Sequence, residues 1–162
     1  IMNRWLSGIA CLLVFGVLIV SCSDSTGPSG PTGELIDASG CNDGTKVHGT
    51  DQDCIEYEYD GQGTLTIRHL NTAFNCCPEY TATVGVEGDA VTITEVETLG
   101  QCDCTCLYSL EFRVSDLPAG SYDLTVAQAY LGADDPVHVM ELDLDGATEG
   151  EDCIVRERYP WY

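Results

Sequence analysis

The sequence predicts an all-β protein: one antiparallel β-sandwich of about seven or eight strands, rich in disulfides. Three observations carry that reading. Apolar and polar residues alternate with period two through segments rich in Thr, Val, Ile and Tyr, the pattern of strands with one buried face. Gly, Pro and Asp break those segments about every ten residues, which supplies the turns of a sandwich. Ten cysteines occur among 162 residues, a count that suits an exported, cross-linked domain. No window outside the first 22 residues carries a helical stripe.

The N-terminal element comes first. Arg4 precedes an almost wholly apolar run from Trp5 to Val20, and Ser21-Cys22 closes it. A charged start, an apolar stretch too short to span a bilayer comfortably and a small residue at the cut describe a cleaved secretory signal peptide over residues 1–21. The junction Ile19-Val20-Ser21-Cys22 resembles the lipobox of bacterial lipoproteins, although Ile19 stands where that family usually carries Leu. The resemblance implies that Cys22 is lipidated and becomes the new N-terminus, so the protein is anchored to the cell envelope. Each buried methylene of such an anchor contributes about 0.8 kcal/mol. Ser23 beside the cysteine implies delivery to the outer membrane, with the domain facing the periplasm or the outside. Residues 22–34 then read as lipid anchor and flexible linker, since Ser23–Gly33 is mostly Ser, Gly, Pro and Thr and has nothing to pack a core. Residues 35–162 are expected to form a single sandwich domain.

Within that domain the alternation predicts strands near Cys54–Asp60, Gly63–Leu70, Tyr80–Val86, Ala90–Glu97, Cys104–Val114, Ser121–Tyr130, Val137–Leu144 and Asp152–Arg158. Glu87-Gly88-Asp89 predicts the hairpin turn between the third and fourth of these. In the fifth, Tyr108, Leu110, Phe112 and Val114 share one face. The stretch from Asp116 to Val126 contains Leu117-Pro118-Ala119-Gly120 followed by Tyr122-Asp123-Leu124. It resembles the Leu-Pro-x-Gly turn and Tyr-x-Leu strand of immunoglobulin-like sandwich modules, which implies an immunoglobulin-like arrangement and no particular function. The stretch from His69 to Pro78, with Cys102-x-Cys104-x-Cys106, is similar to uncharacterised bacterial exported proteins and brings no activity with it.

Cys11 would leave with the signal and Cys22 would take lipid, which leaves Cys41, Cys54, Cys76, Cys77, Cys102, Cys104, Cys106 and Cys153. An even eight in an exported domain reads as four disulfides, drawn from 105 possible pairings. Adjacent Cys76 and Cys77 are poorly placed to bridge each other, and so are the i, i+2, i+4 cysteines of one strand. The Cys76-Cys77 turn is therefore expected to dock on the Cys102–Cys106 segment through two cross-links, with Cys41, Cys54 and Cys153 sharing the remainder. The alternative is a thiolate site for Cu(I) or Zn built from His69, Cys76, Cys77, Cys102, Cys104 and Cys106.

Lys and Arg together number 6 against 27 Asp and Glu, giving a net charge of −21. Loss of Arg4 with the signal would make the mature chain one charge more negative. So acidic a surface repels phosphate backbones, and nucleic acid is not expected as a partner. A calcium site is the sharper reading of the acids, drawn from Asp143, Asp145 and Glu149 with Glu151 and Asp152, or from the Asp51/Asp53 pair, although the EF-hand spacing fails: from Asp143, Ala147 stands at the fifth position and Ile154 at the twelfth. No Gly-x-Ser-x-Gly elbow, His-Glu-x-x-His pair or phosphate loop is present, and no catalytic residue is assigned. The sequence thus points to a non-enzymatic envelope protein with a binding or structural role and no resident cofactor. Beside the membrane itself, its partner would be a protein or a carbohydrate, for which the terminal Tyr159-Pro160-Trp161-Tyr162 is a candidate contact.

Overall fold

The computed structural model describes residues 30–41 and 48–157. The expected signal peptide, Cys22, most of the linker and the aromatic Tyr159–Tyr162 end lie outside these residues. The described chain forms nine strands: β1 (Thr32–Ala38), β2 (Gln52–Tyr59), β3 (Leu65–Asn75), β4 (Pro78–Glu87), β5 (Ala90–Gly100), β6 (Thr105–Ser115), β7 (Ser121–Ala127), β8 (His138–Asp143) and β9 (Glu149–Val155). No described residue is helical, so none of the described structure is a helix long and apolar enough to cross a membrane.

Two sheets result, one with the order β1-β6-β3-β2-β9 and the other β4-β5-β7-β8. The all-β, two-sheet, disulfide-rich class expected from the alternation is what the chain adopts. Each of the eight expected strands is present. The Gly88-Asp89 turn joins β4 to β5 in register, with Glu87 opposite Ala90 and Gly88 at a φ of 63°, the left-handed backbone that a tight hairpin requires.

One boundary needs correction. The linker was expected to run to residue 34, but β1 begins at Thr32. It carries few apolar residues of its own. Pairing with β6 from Thr32↔Ser115 to Ala38↔Leu110 defines it instead. The expected antiparallel pairing holds for the other described strand pairs, while β5 and β7 pair in parallel. The route of the chain explains this. From β5 it crosses to β6 in the other sheet and returns as β7, so two reversals bring β7 back in the direction of β5.

The inward faces of both sheets make one core. From the first sheet come Ile55, Leu65, Ile67, Phe74, Leu110 and Phe112; from the second, Val91, Ile93, Leu124, Val126 and Leu142, all at most 1% exposed. Such side chains contribute about 1.5–3 kcal/mol each on burial. Phe74 reaches this face because β3 changes phase within itself. Its register shifts between Leu70 and Thr72, where Asn71 holds a φ of 63°. Before the bulge the odd positions Leu65, Ile67 and His69 face inward; after it the even positions Thr72 and Phe74 do.

Candidate functional site

Polar side chains occupy core-facing positions at one end of the sandwich. Asp53 on β2 precedes Ile55 and Tyr57 on the inward face, and His69 follows Leu65 and Ile67 on β3. From the opposite sheet Glu95 continues Val91 and Ile93 on β5, and His138 leads into Met140 and Leu142 on β8. Arg156 lies just past β9. Asp53, His69 and His138 are fully buried, Glu95 is 2% exposed and Arg156 4%.

These groups form one hydrogen-bonded chain of carboxylates, imidazoles and a guanidinium. His69 Nδ1 lies 2.6 Å from Glu95 Oε1 and its Nε2 2.7 Å from Asp53 Oδ1. The Thr72 hydroxyl donates to the other Glu95 oxygen at 2.6 Å. Asp53 Oδ2 accepts from Gln128 Nε2 at 2.5 Å, from Arg156 Nε at 2.9 Å and from Arg156 Nη2. His138 places Nδ1 3.5 Å from Asp53 Oδ1 and Nε2 2.9 Å from Asp152 Oδ2. Arg156 Nη1 also donates to the Pro136 carbonyl at 2.7 Å. The Asp152 side chain is about half exposed, so the chain runs from solvent at β9 through the interior to Glu95.

Pairing outweighs burial in setting the protonation of its centre. Burial alone would raise the Asp53 carboxyl, but the charge of His69 and hydrogen bonds from His138, His69 and Gln128 hold it far below the usual carboxylate range. Burial alone would lower His69. The charges of Glu95 and Asp53, and the hydrogen bonds to both, push it up to about 10. His69 is therefore an imidazolium held between two carboxylates and donates from both nitrogens. Such a group neither takes up a proton near neutral pH nor reaches solvent. What the arrangement does is fasten the sheets, since Asp53, His69 and Asp152 come from one and Glu95 and His138 from the other, with Gln128 just past the end of β7.

Comparison adds no relative. No protein-family model matches the chain, and neither a curated protein nor a solved structure does.

The eight cysteines pair as Cys41–Cys106, Cys54–Cys153, Cys76–Cys104 and Cys77–Cys102. The Cys76-Cys77 turn docks on the Cys102–Cys106 segment with two cross-links there, the arrangement expected from spacing. These two bridges bind together the β3–β4 and β5–β6 connections, where the chain passes between sheets. Asn75 fits between them: its Oδ1 accepts from Cys77 N at 2.9 Å and Cys102 N at 3.0 Å, and its Nδ2 donates to Cys102 O at 2.5 Å. Pairing of Cys76, Cys77, Cys102, Cys104 and Cys106 in disulfides competes with the thiolate set, and carboxylates occupy both nitrogens of its sixth member, His69.

The acids of the calcium set are spread over two strand ends and a turn. Asp143 ends β8 and its Oδ1 accepts from Gly146 N at 3.0 Å, Asp145 is exposed in the turn that follows, and Glu149 opens β9. Among the described residues, the His, Cys, Asp and Glu side chains whose ligand atoms lie within 4.8 Å of one another are His48, Cys54, Glu151 and Cys153. They sit on the outer face of the β2–β9 ladder. Beside them a shallow groove of about 430 Å³ is lined by Glu56, Glu58, Arg68, Glu149 and Glu151.

Proposed function

We propose that this chain is a lipid-anchored cell-envelope protein whose disulfide-stabilised sandwich serves a binding or structural role and performs no catalysis. The observation that carries this reading is the use of the cysteines. Eight of them pair into four bridges within one sandwich, and disulfides persist in exported proteins rather than in a reducing cytosol. The buried ionisable groups are likewise committed to one another. An imidazolium between two carboxylates suits a clamp and is a poor general base at neutral pH. Such a scaffold holds its loops and its acidic outer faces in fixed positions, where a protein or a carbohydrate would be recognised. Cys22 supplies the membrane attachment in this reading.

The experiment expresses the full chain in a bacterial host with a lipoprotein pathway and separates detergent-soluble from aqueous protein. The native chain is expected in the detergent phase and Cys22→Ala in the aqueous phase, with the N-terminal peptide of the native protein carrying acyl mass. Equal partitioning of the two would overturn the anchor. Intact mass without reduction then reads the bridges. No alkylation, and a mass eight hydrogens below the all-thiol value, is expected of four disulfides.

A further inference from the structure

The outer face of the β2–β9 ladder brings together a donor set that neither the interior clamp nor the membrane anchor uses. Cys54 and Cys153 are directly opposite in register, as are Glu56 and Glu151 one pleat further along. His48, from the segment leading into β2, lies over them with a side chain only 12% exposed. Its Nε2 is 3.4 Å from Glu56 Oε1 and its Nδ1 3.7 Å from Glu151 Oε1. Cys153 Sγ is 3.3 Å from Glu151 Oε1. Ligand atoms of His48, Cys54, Glu151 and Cys153 all lie within 4.8 Å of one another.

We propose that these four residues form a zinc site that the Cys54–Cys153 disulfide closes and its reduction opens. The donor chemistry selects the metal. Two thiolates, one imidazole and one carboxylate complete a tetrahedron of the borderline kind Zn²⁺ takes, whereas Ca²⁺ needs more oxygens and Cu(I) favours sulfur alone. The backbone ladder holds the two sulfurs opposite each other whether or not they are bonded, so opening the bond leaves the set assembled. In the opening step a dithiol reductant gives two electrons and two protons to the Cys54–Cys153 bond and leaves as its own disulfide. Zinc then takes both sulfurs as thiolates and two protons pass to solvent. The neighbouring acids Glu56, Glu58 and Glu149 make the approach favourable for a cation.

The test uses the full chain, oxidised and then reduced with a water-soluble phosphine, and Co²⁺ as the visible probe with Zn²⁺ as competitor. The oxidised protein is expected to give no tetrahedral thiolate absorption. The reduced protein is expected to give it and to lose it to zinc, with zinc protecting Cys54 and Cys153 from alkylation in peptide mapping. His48→Ala and Glu151→Gln should each weaken the site at least about tenfold, and Glu58→Gln should not. Where reduction alone loosens the fold, zinc restores the native spectrum of the unsubstituted chain and not of His48→Ala. Alkylation of Cys54 and Cys153 at the same rate with and without zinc would overturn the proposal. So would unchanged affinity in both ligand variants, which would assign the metal to the Cys76, Cys77, Cys102 and Cys104 thiols.

Discussion

Asp53 carries the interior clamp because one carboxylate serves four side chains: His69, His138, Gln128 and Arg156. Removing it leaves the buried Arg156 guanidinium without its carboxylate partner and His69 with Glu95 alone, which is the costly way to break an interior pair. Asp53→Ala is expected to lower unfolding stability by roughly 3–5 kcal/mol in urea titrations, with a smaller loss for Asp53→Asn, which keeps hydrogen-bonding capacity. The pH dependence has a definite sign. His69 titrates near 6.5 unfolded and is raised to about 10 in the fold. Its contribution is complete below pH 6.5 and is lost as pH rises through 10, by up to about 1.4 kcal/mol per pH unit. Asp53 is lowered from 3.8, so its contribution is complete above that value and is lost as pH falls below it. The Tm difference between native protein and His69→Gln should therefore narrow as pH is raised from 6.5 to 10. A difference that stays constant over that range would show that His69 is not an imidazolium in the fold.

At the scale of elements, β1 shows how a strand can exist without a strand-like sequence. Thr32 to Ala38 offers only Leu35 and Ile36 between polar and small residues, so its alternation is silent. Its place is set by the β6 edge and by Gly33. A Cβ at Gly33 would meet the Val84 side chain and lie 2.6 Å from the Val84 carbonyl oxygen, so the close approach of β1 to β4 demands glycine. Gly33→Ala is expected to cost about 1–3 kcal/mol through forced separation of these strands. Gly85→Ala, where a Cβ meets nothing within 4 Å, is the control and should change stability far less. The other strands were legible because Val, Ile, Leu and Tyr mark their inward phase. The clamp was only partly legible for the same reason. The alternation places His69 with Leu65 and Ile67, but Asp53, Glu95 and His138 hold equally inward phases and look ordinary in so acidic a chain. The usable signal was a charged residue in phase with an apolar run on four strands. Recognising it required knowing which ends of those strands meet, and strand order is not written in alternation.

For the whole molecule, the disulfides act as a connected graph, and their contributions should not add. The bridges Cys76–Cys104 and Cys77–Cys102 span 28 and 25 residues, but they are nested against each other. Once one is closed, the other constrains a further loop of only a few residues through the adjacent Cys76 and Cys77. Loop-closure entropy depends on the logarithm of the loop actually closed. Either bridge alone therefore captures most of the restriction that both provide. Replacing Cys77 and Cys102 together by Ala is expected to cost only about 1.5 kcal/mol, and so is replacing Cys76 and Cys104. Removing the second bridge once the first is gone should cost roughly 3–4 kcal/mol, the value for opening the full loop, so replacing all four should cost roughly 5 kcal/mol. A double-mutant cycle in urea should then return a coupling near 2 kcal/mol. Additive losses would mean that each bridge acts through local contacts at its own corner, with Asn75 as the first residue to examine. Cys54–Cys153, with a separation of 99 residues, encloses both corner bridges, but no bridge beside it closes nearly the same loop. Its removal should cost more than that of either corner bridge, and this weight makes its opening consequential if zinc takes the place of the covalent bond.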